Sequence, residues 1–315
     1  MKKIVIFGGG SGQSQLLKGI MQFPLDVTAV VSVSDNGGST GSLREEFSLP
    51  AVGDLTKVLM AMSTESKGVK DLFNYRFAKN SSLSNHSIKN LIMTALLEMK
   101  GDFAHALPIL CDLLDVKGKV LPITEDNVDL IGVTKKGKEI FGEAQITENK
   151  DKIVDLKYDK EVRVNKKVLD AVEKADLILF SSGSLLTSIM PNLILPEIQD
   201  GIKKSKAKKM YICNMLTQPG ETDNFKVSDH LKVLEKYLGK GTINAVIANT
   251  SKITKKQSIL AKSEGKDAVQ LDEAKVNKMG VEVIKDDLFV IDEGYVRHNA
   301  LKTAYLIFSY LIEGK

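Results

Sequence analysis

Lys3-Ile4-Val5-Ile6-Phe7-Gly8-Gly9-Gly10-Ser11-Gly12 decides the reading of this chain. The first five residues are a short, β-branched apolar run of buried-strand length. After Gly12 the apolar residues recur as Leu16, Leu17 and Ile20, a helical spacing. The stretch therefore reads as strand, glycine loop, helix. Glycine permits positive φ and close approach to the backbone, and the unpaired N–H groups of a helix start favour phosphate. A tight strand-to-helix turn without a ligand is the bland alternative. A second turn of the same kind, Asn36-Gly37-Gly38-Ser39-Thr40-Gly41, follows the apolar run Val27 to Val33. Two such turns behind two strands point to an anion site made from backbone.

The common nucleotide fingerprints fail letter by letter. A dinucleotide fingerprint from Gly8 and Gly10 needs glycine where Gln13 stands; from Gly10 and Gly12 it needs glycine where Gln15 stands. No Gly-Lys-Ser/Thr closes the loop as a Walker A motif would require. Asp35 sits where a ribose-binding acid would, but further glycine follows at once. A nicotinamide dehydrogenase is accordingly a distant third reading.

Beyond the second turn, strands and helices alternate, which favours a mostly parallel sheet covered by helices on both faces. Leu55, Leu59 and Met62 mark one helical stripe; Ile88, Leu91, Ile92, Ala95 and Leu96 mark another. Later strands are expected at Asp176 to Phe180, Lys209 to Cys213, Ile243 to Ala248 and Leu288 to Ile291, and a last helix at Ala300 to Ile312. Between Lys117 and Lys166 the rhythm changes to short β-type runs at Val120 to Ile123, Leu130 to Val133, Ile140 to Gln145 and Ile153 to Lys157. That segment reads as an antiparallel β excursion whose bland role is a lid or a contact in a homo-oligomer. The expectation is one large α/β domain over residues 1–315, Rossmann-like, with the β-rich excursion at 117–166 inside it.

Composition bounds the partners. The 315 residues are 43% apolar and 27% charged, ordinary for a soluble protein, and a net charge of +4 is too small to imply nucleic acid. Cys111 and Cys213 form neither a disulfide framework nor a zinc spacing, so a reduced, cytoplasmic compartment is expected. Lys2 and Lys3 lead straight into a strand, not a signal peptide, and no run approaches the ~18 apolar residues of a membrane span.

Four further clusters could carry chemistry. Asp54 precedes an amphipathic helix and suits an N-cap by type. Asn85-His86-Ser87 precedes the next helix in the same way. Ser181-Ser182-Gly183-Ser184-Leu185-Leu186-Thr187-Ser188 offers hydroxyls and backbone N–H groups but lacks the nucleophile-elbow pattern, so binding is the better reading than acyl transfer. Asn214 to Asp223 is a polar loop behind the strand ending at Cys213. In open α/β sheets ligands bind outside the carboxyl ends of the strands. Four such loops, behind the first, second, 176 to 180 and 209 to 213 strands, are dense in Gly, Ser, Thr and Asn, and their convergence at one sheet edge is the argument for a site.

In their order, the two glycine turns, Gly53-Asp54-Leu55, Asn85-His86-Ser87, Gly183 to Asn192, Tyr211 to Thr222 and Arg297-His298 resemble the successive motifs of the bacterial gluconeogenesis factors. That family is similar to 2-phospho-L-lactate transferase, which moves a phospholactyl group from a guanosine diphosphate carrier to a deazaflavin precursor. The resemblance implies a protein that binds a UDP-sugar such as UDP-N-acetylglucosamine, serves growth on gluconeogenic carbon sources and regulates cell shape. It requires no cofactor. The alternative is a phospholactyl-type transferase with magnesium, in which Asp35 would hold the metal or act as the catalytic base. The chain departs from the transferase: Gly-Gly-Gly-Ser-Gly replaces Gly-Gly-Thr-Gly-Gly, and Asn36 stands where a second acid would. A single carboxylate is a poorer magnesium site. The ligand-binding set then comprises Gly9, Gly10, Ser11, Gly12, Asp35, Asn36, Gly37, Asp54, Asn85, His86, Gly183, Ser184, Thr187, Asn214, Thr217 and Arg297.

Overall fold

The computed structural model describes residues 1–78, 81–251, 265–292 and 295–313. The opening stretch forms β1 (Lys2–Gly8) and α1 (Gly10–Ile20), and the second apolar run forms β2 (Leu25–Val31). After the second glycine turn come α2 (Gly38–Phe47), α3 (Gly53–Met62), α4 (Lys67–Asn74), α5 (Ile88–Lys100) and α6 (Phe103–Leu113). The remaining strands are β3 (Lys119–Pro122), β4 (Leu130–Thr134), β5 (Glu139–Phe141), β6 (Ile153–Tyr158), β7 (Leu177–Phe180), β8 (Lys208–Ile212), β9 (Ala245–Asn249), β10 (Glu282–Asp286), β11 (Phe289–Asp292) and β12 (Tyr295–His298).

Seven strands form one parallel sheet in the order β10-β9-β8-β7-β1-β2-β3. Strand β1, in the interior of the sheet, shows why both faces need cover. Ile4 and Ile6 enter one apolar cluster with α1, α3, α5 and α6, whereas Val5 and Phe7 enter another with the helices Pro196–Lys204 and Val227–Leu238. All four are 2% exposed or less. Burying each such side chain is worth roughly 1.5–3 kcal/mol, which is why this run reads as continuous hydrophobicity and not as an alternating surface strand.

The excursion differs in detail from its sequence reading. Val120 to Ile123 belongs to β3, the edge strand of the parallel sheet, and the separate antiparallel sheet has the order β5-β4-β6. Ile140 to Gln145 is two elements: the chain leaves β5 at Phe141, turns at Gly142 and starts the short helix α7 (Glu143–Glu148). The small sheet is pinned to the core by Tyr158, whose hydroxyl donates to the Pro191 carbonyl at 2.8 Å.

Two other expectations shift. Leu288 to Ile291 overlaps β11, which pairs antiparallel with β12 outside the sheet; the seventh sheet strand is β10. The charged sequence Glu-Val-Ile-Lys-Asp hides β10, because an edge strand carries charge to deter further pairing. In α5 the buried residues are Lys89, Asn90, Met93, Thr94, Leu96 and Leu97, while Ala95 is exposed. The helix is rotated from its apolar stripe because Asn90 is drawn inward: Thr56 donates to its carbonyl at 2.8 Å. The last helix, Ala300–Glu313, falls where the sequence places it. Among the described residues no helix is long and apolar enough to cross a membrane.

Candidate functional site

The chain runs from β1 toward β3 on one side and from β7 toward β10 on the other, so the strand order reverses between β1 and β7 while the strands stay parallel. A crevice is expected outside the carboxyl ends of these two strands. A cleft of about 420 Å³ lies there, lined by Gly9 to Gly12, Asp54, Lys57, Glu143, Ser182 to Ser184, Thr187, Asn214 to Gln218 and Val296 to His298.

Its floor is the first glycine loop. Gly10 has φ +52°, and a Cβ placed on it would lie 2.8 Å from Asp54 Oδ1. Both the left-handed backbone and the neighbouring carboxylate therefore call for glycine. Gly12 has a different reason: a Cβ there would overlap the Ser182 carbonyl, so its bareness lets the loop behind β1 pack on the loop behind β7. Asp54 is not the N-cap of α3, a place taken by Val52; it lies in the first turn and pairs with Lys57 at 2.9 Å.

Around this pair the charges are concentrated. Burial and the neighbouring Asp54 raise the Asp35 carboxyl above its ordinary range. Burial, followed by Asp35 and Asp54, pushes Glu143 up to about 8. Lys57 is pulled down by burial, but Asp54, Asp35 and Glu143 together hold it above its ordinary value. Asp35 also accepts from Gly37 N at 2.9 Å. The carboxylates are hard donors of the type a magnesium ion prefers. Here, however, Lys57 already supplies the positive charge at Asp54. Among the described residues, no group of three or more His, Cys, Asp or Glu is arranged to hold a metal.

The other wall is built from loops that bond chiefly to each other. Asn214 donates to the Gly183 carbonyl at 2.6 Å and accepts from Gly183 N at 2.9 Å, clamping the loops behind β7 and β8. Thr217 exchanges two backbone-directed bonds with Asp267, through its own N–H at 2.7 Å and its Oγ1 at 2.9 Å. Ser184 Oγ donates to the Glu221 carboxylate at 2.9 Å and accepts from Thr187 N at 2.9 Å and Thr187 Oγ1 at 2.8 Å. Burial raises Glu221 to about 7. Both hydroxyl hydrogens are thus committed within the protein, and the two lone pairs of Ser184 Oγ are taken up by Thr187 as well.

Of the sixteen residues singled out from the sequence, Gly9, Gly10, Ser11, Gly12, Asp54, Gly183, Ser184, Thr187, Asn214, Thr217 and Arg297 line this cleft. Asp35 lies behind it, coupled to its charges, and Gly37 serves as the donor to Asp35. Asn36 faces a neighbouring cleft, where its amide accepts from Ala144 N at 2.9 Å and donates to Gln145 at 3.1 Å, tethering α7. His86 Nδ1 meets Ser39 Oγ at 2.9 Å, bracing α2, and the Asn85 carbonyl accepts from Arg76 at 2.7 Å. Arg297 lies in β12, ahead of the last helix; its guanidinium carbon is 5.4 Å from the Tyr295 ring centroid, and it has no ion pair among the described residues.

Lys57, Glu143 and His298, which line the cleft, and Glu221, which braces Ser184, are absent from the ligand-binding set, although Glu221 and His298 fall within segments already singled out. The i,i+3 spacing of Asp54 and Lys57 was a usable signal. Glu143 had none, because its position depends on how the excursion folds back. His298 donates from Nε2 to the Cys213 carbonyl at 3.1 Å, a tautomer assigned from the partner, since a carbonyl has no hydrogen to give. Burial pulls its pKa down to about 4, so the ring is neutral near pH 7.

A Rossmann-like parallel sheet with a polar cleft at its switch point places this chain among the α/β proteins that take ligands at strand carboxyl ends. More narrowly, the chain belongs to the 2-phospho-L-lactate transferase CofD family, whose model matches residues 4–289, and within it to the gluconeogenesis factors. It is 39% identical over 312 residues to the gluconeogenesis factor of Bacillus subtilis strain 168, covering 99% of this chain and 98% of that protein. It is 38% identical over 315 residues to that of Halalkalibacterium halodurans, covering 100% and 97%. The crystal structure of a UPF0052 family member from Bacillus halodurans superposes with a TM-score of 0.94 at 37% identity, over 98% of this chain and 99% of that one.

Proposed function

We propose that this chain is a cytoplasmic nucleotide-sugar-binding protein of the UDP-N-acetylglucosamine type. It acts as a regulator needed for growth on gluconeogenic carbon sources and for cell shape. One observation carries the reading: the glycine loop behind β1 and the serine-rich loop behind β7 meet at the switch point, leaving backbone N–H groups, Lys57 and Arg297 around a single cleft. These groups suit a diphosphate, with Lys57 offsetting the charge of Asp54. Glu221, Ser184 and Asn214 are engaged in holding the loops, which fits a binding scaffold better than a set of groups waiting for a chemical step. The reading asks for no metal.

The transferase remains as a second reading because the matching family model is named for 2-phospho-L-lactate transferase. In that reading Asp35 would hold magnesium or take a proton from the acceptor. The test is a thermal-shift panel of UDP-sugars, GDP and NAD. A shift with UDP-N-acetylglucosamine and none with NAD is expected; a larger shift with NAD would reverse the ranking.

A further inference from the structure

The cleft lining is of two kinds. Gly9 to Gly12, Asp54, Lys57, Ser182, Ser184 and Ser188 make it polar or charged, whereas Met215, Leu216 and Val296 are its apolar members, on the same two segments as Asn214 and His298. A diphosphate suits the first kind of surface and a flat ring the second.

His298 is suited to read such a ring. Its Nε2–H is spent on the Cys213 carbonyl, so Nδ1 of the neutral ring carries a lone pair. That nitrogen has no partner among the described residues. It is also absent from the set of side-chain atoms that are sealed from solvent without a partner: Gln13 Oε1, Ser87 Oγ, Asn192 Oδ1, His230 Nε2 and Thr303 Oγ1. His298 lines the cleft and is only half-buried, so Nδ1 is the acceptor it has to offer there. The Cys213 bond fixes the ring, so this acceptor is pre-oriented and its tautomer cannot switch without breaking a bond.

We infer that His298 Nδ1 is the base-reading group of the cleft, accepting a hydrogen bond from the ring N–H of a uracil or guanine held against Met215, Leu216 and Val296. This inference rests on the nucleotide reading above. Adenine and cytosine carry no such ring N–H on their pairing edge. The acceptor thus selects for bases that do.

The experiment measures binding to the wild-type chain by calorimetry with UDP-N-acetylglucosamine and its N3-methyluridine counterpart, and with GDP and its N1-methyl counterpart. Methylation is expected to weaken binding of the recognised nucleotide at least tenfold, and the pair that shows the loss identifies the base. His298→Phe should bind methylated and unmethylated ligands equally, while His298→Gln, which keeps a donor for Cys213 and an acceptor for the base, should restore the preference. Melting temperatures control for folding; if His298→Phe does not fold, the wild-type comparison and His298→Gln decide. Equal wild-type affinity for both members of each pair, or full discrimination by His298→Phe, would overturn the inference while leaving nucleotide binding intact. Failure of both parent nucleotides to bind would overturn the underlying reading, and this inference with it.

Discussion

Gly10 combines two constraints in one residue, a left-handed backbone and the Asp54 carboxylate over its α-carbon. Gly10→Val should therefore cost about 1–3 kcal/mol in stability for a β-branched residue in that region, and should abolish nucleotide binding. Denaturant titration and calorimetry on the same preparation check both, and normal affinity would remove the diphosphate from this loop. Arg297 offers the opposite case, a cation on the cleft wall without an ion pair among the described residues. If its fork grips phosphate or carbonyl oxygens, Arg297→Ala should weaken nucleotide-sugar binding by roughly 1.5–3 kcal/mol with stability nearly unchanged. Unchanged affinity would return Arg297 to a surface role against Tyr295.

At the scale of elements, the site depends on how the small antiparallel sheet is held against α2. Arg44 lies 8% exposed and donates to Asn127 at 2.7 Å, Asp129 at 3.0 Å and the Val128 carbonyl at 3.0 Å. Arg44→Leu leaves those acceptors unpaired, so a loss of roughly 1.5–3 kcal/mol is expected, with weaker ligand binding as α7 loosens. Melting curves with and without ligand would show it; an unchanged melting temperature would mean that the tether is not structural. Helix α7 carries Glu143 into the charged cluster, with a carboxyl pKa near 8 against an ordinary 4.5. The folded state then holds a proton that the unfolded chain has released. The stability contributed by this proton is full below about pH 4.5 and is lost as pH rises through about 8. Glu143→Gln should accordingly gain melting temperature relative to wild type across that window and gain no more above it. A pH-independent difference between the two would contradict the raised pKa.

For the molecule as a whole, a uridine nucleotide sugar at about a hundredfold over its dissociation constant should stabilise the native state by roughly 2.7 kcal/mol if it binds only that state. The same preparation, given magnesium, a phospholactyl guanosine donor and a deazaflavin acceptor, should release no GMP. Robust transfer, lost in Asp35→Asn, would promote the enzyme.

The parallel core is legible in the order of the amino acids, because β1 and β2 are short β-branched runs whose neighbouring residues must be buried on opposite faces. That order also shows where the crevice lies, since glycine turns directly behind those strands fall at their carboxyl ends. It could not determine which loop residues face the cleft. Asn214, Ser184 and Thr217 are polar for the sake of other loops, and a polar residue that bonds protein looks the same in sequence as one that bonds ligand. Nor could it reveal β10, disguised by edge charge, or Glu143, whose place follows from the Asn36 and Arg44 bonds across more than 80 residues. Those points are settled on folding, because hydrogen bonds distant in sequence and the desolvation of neighbouring charges exist only once the layers have closed.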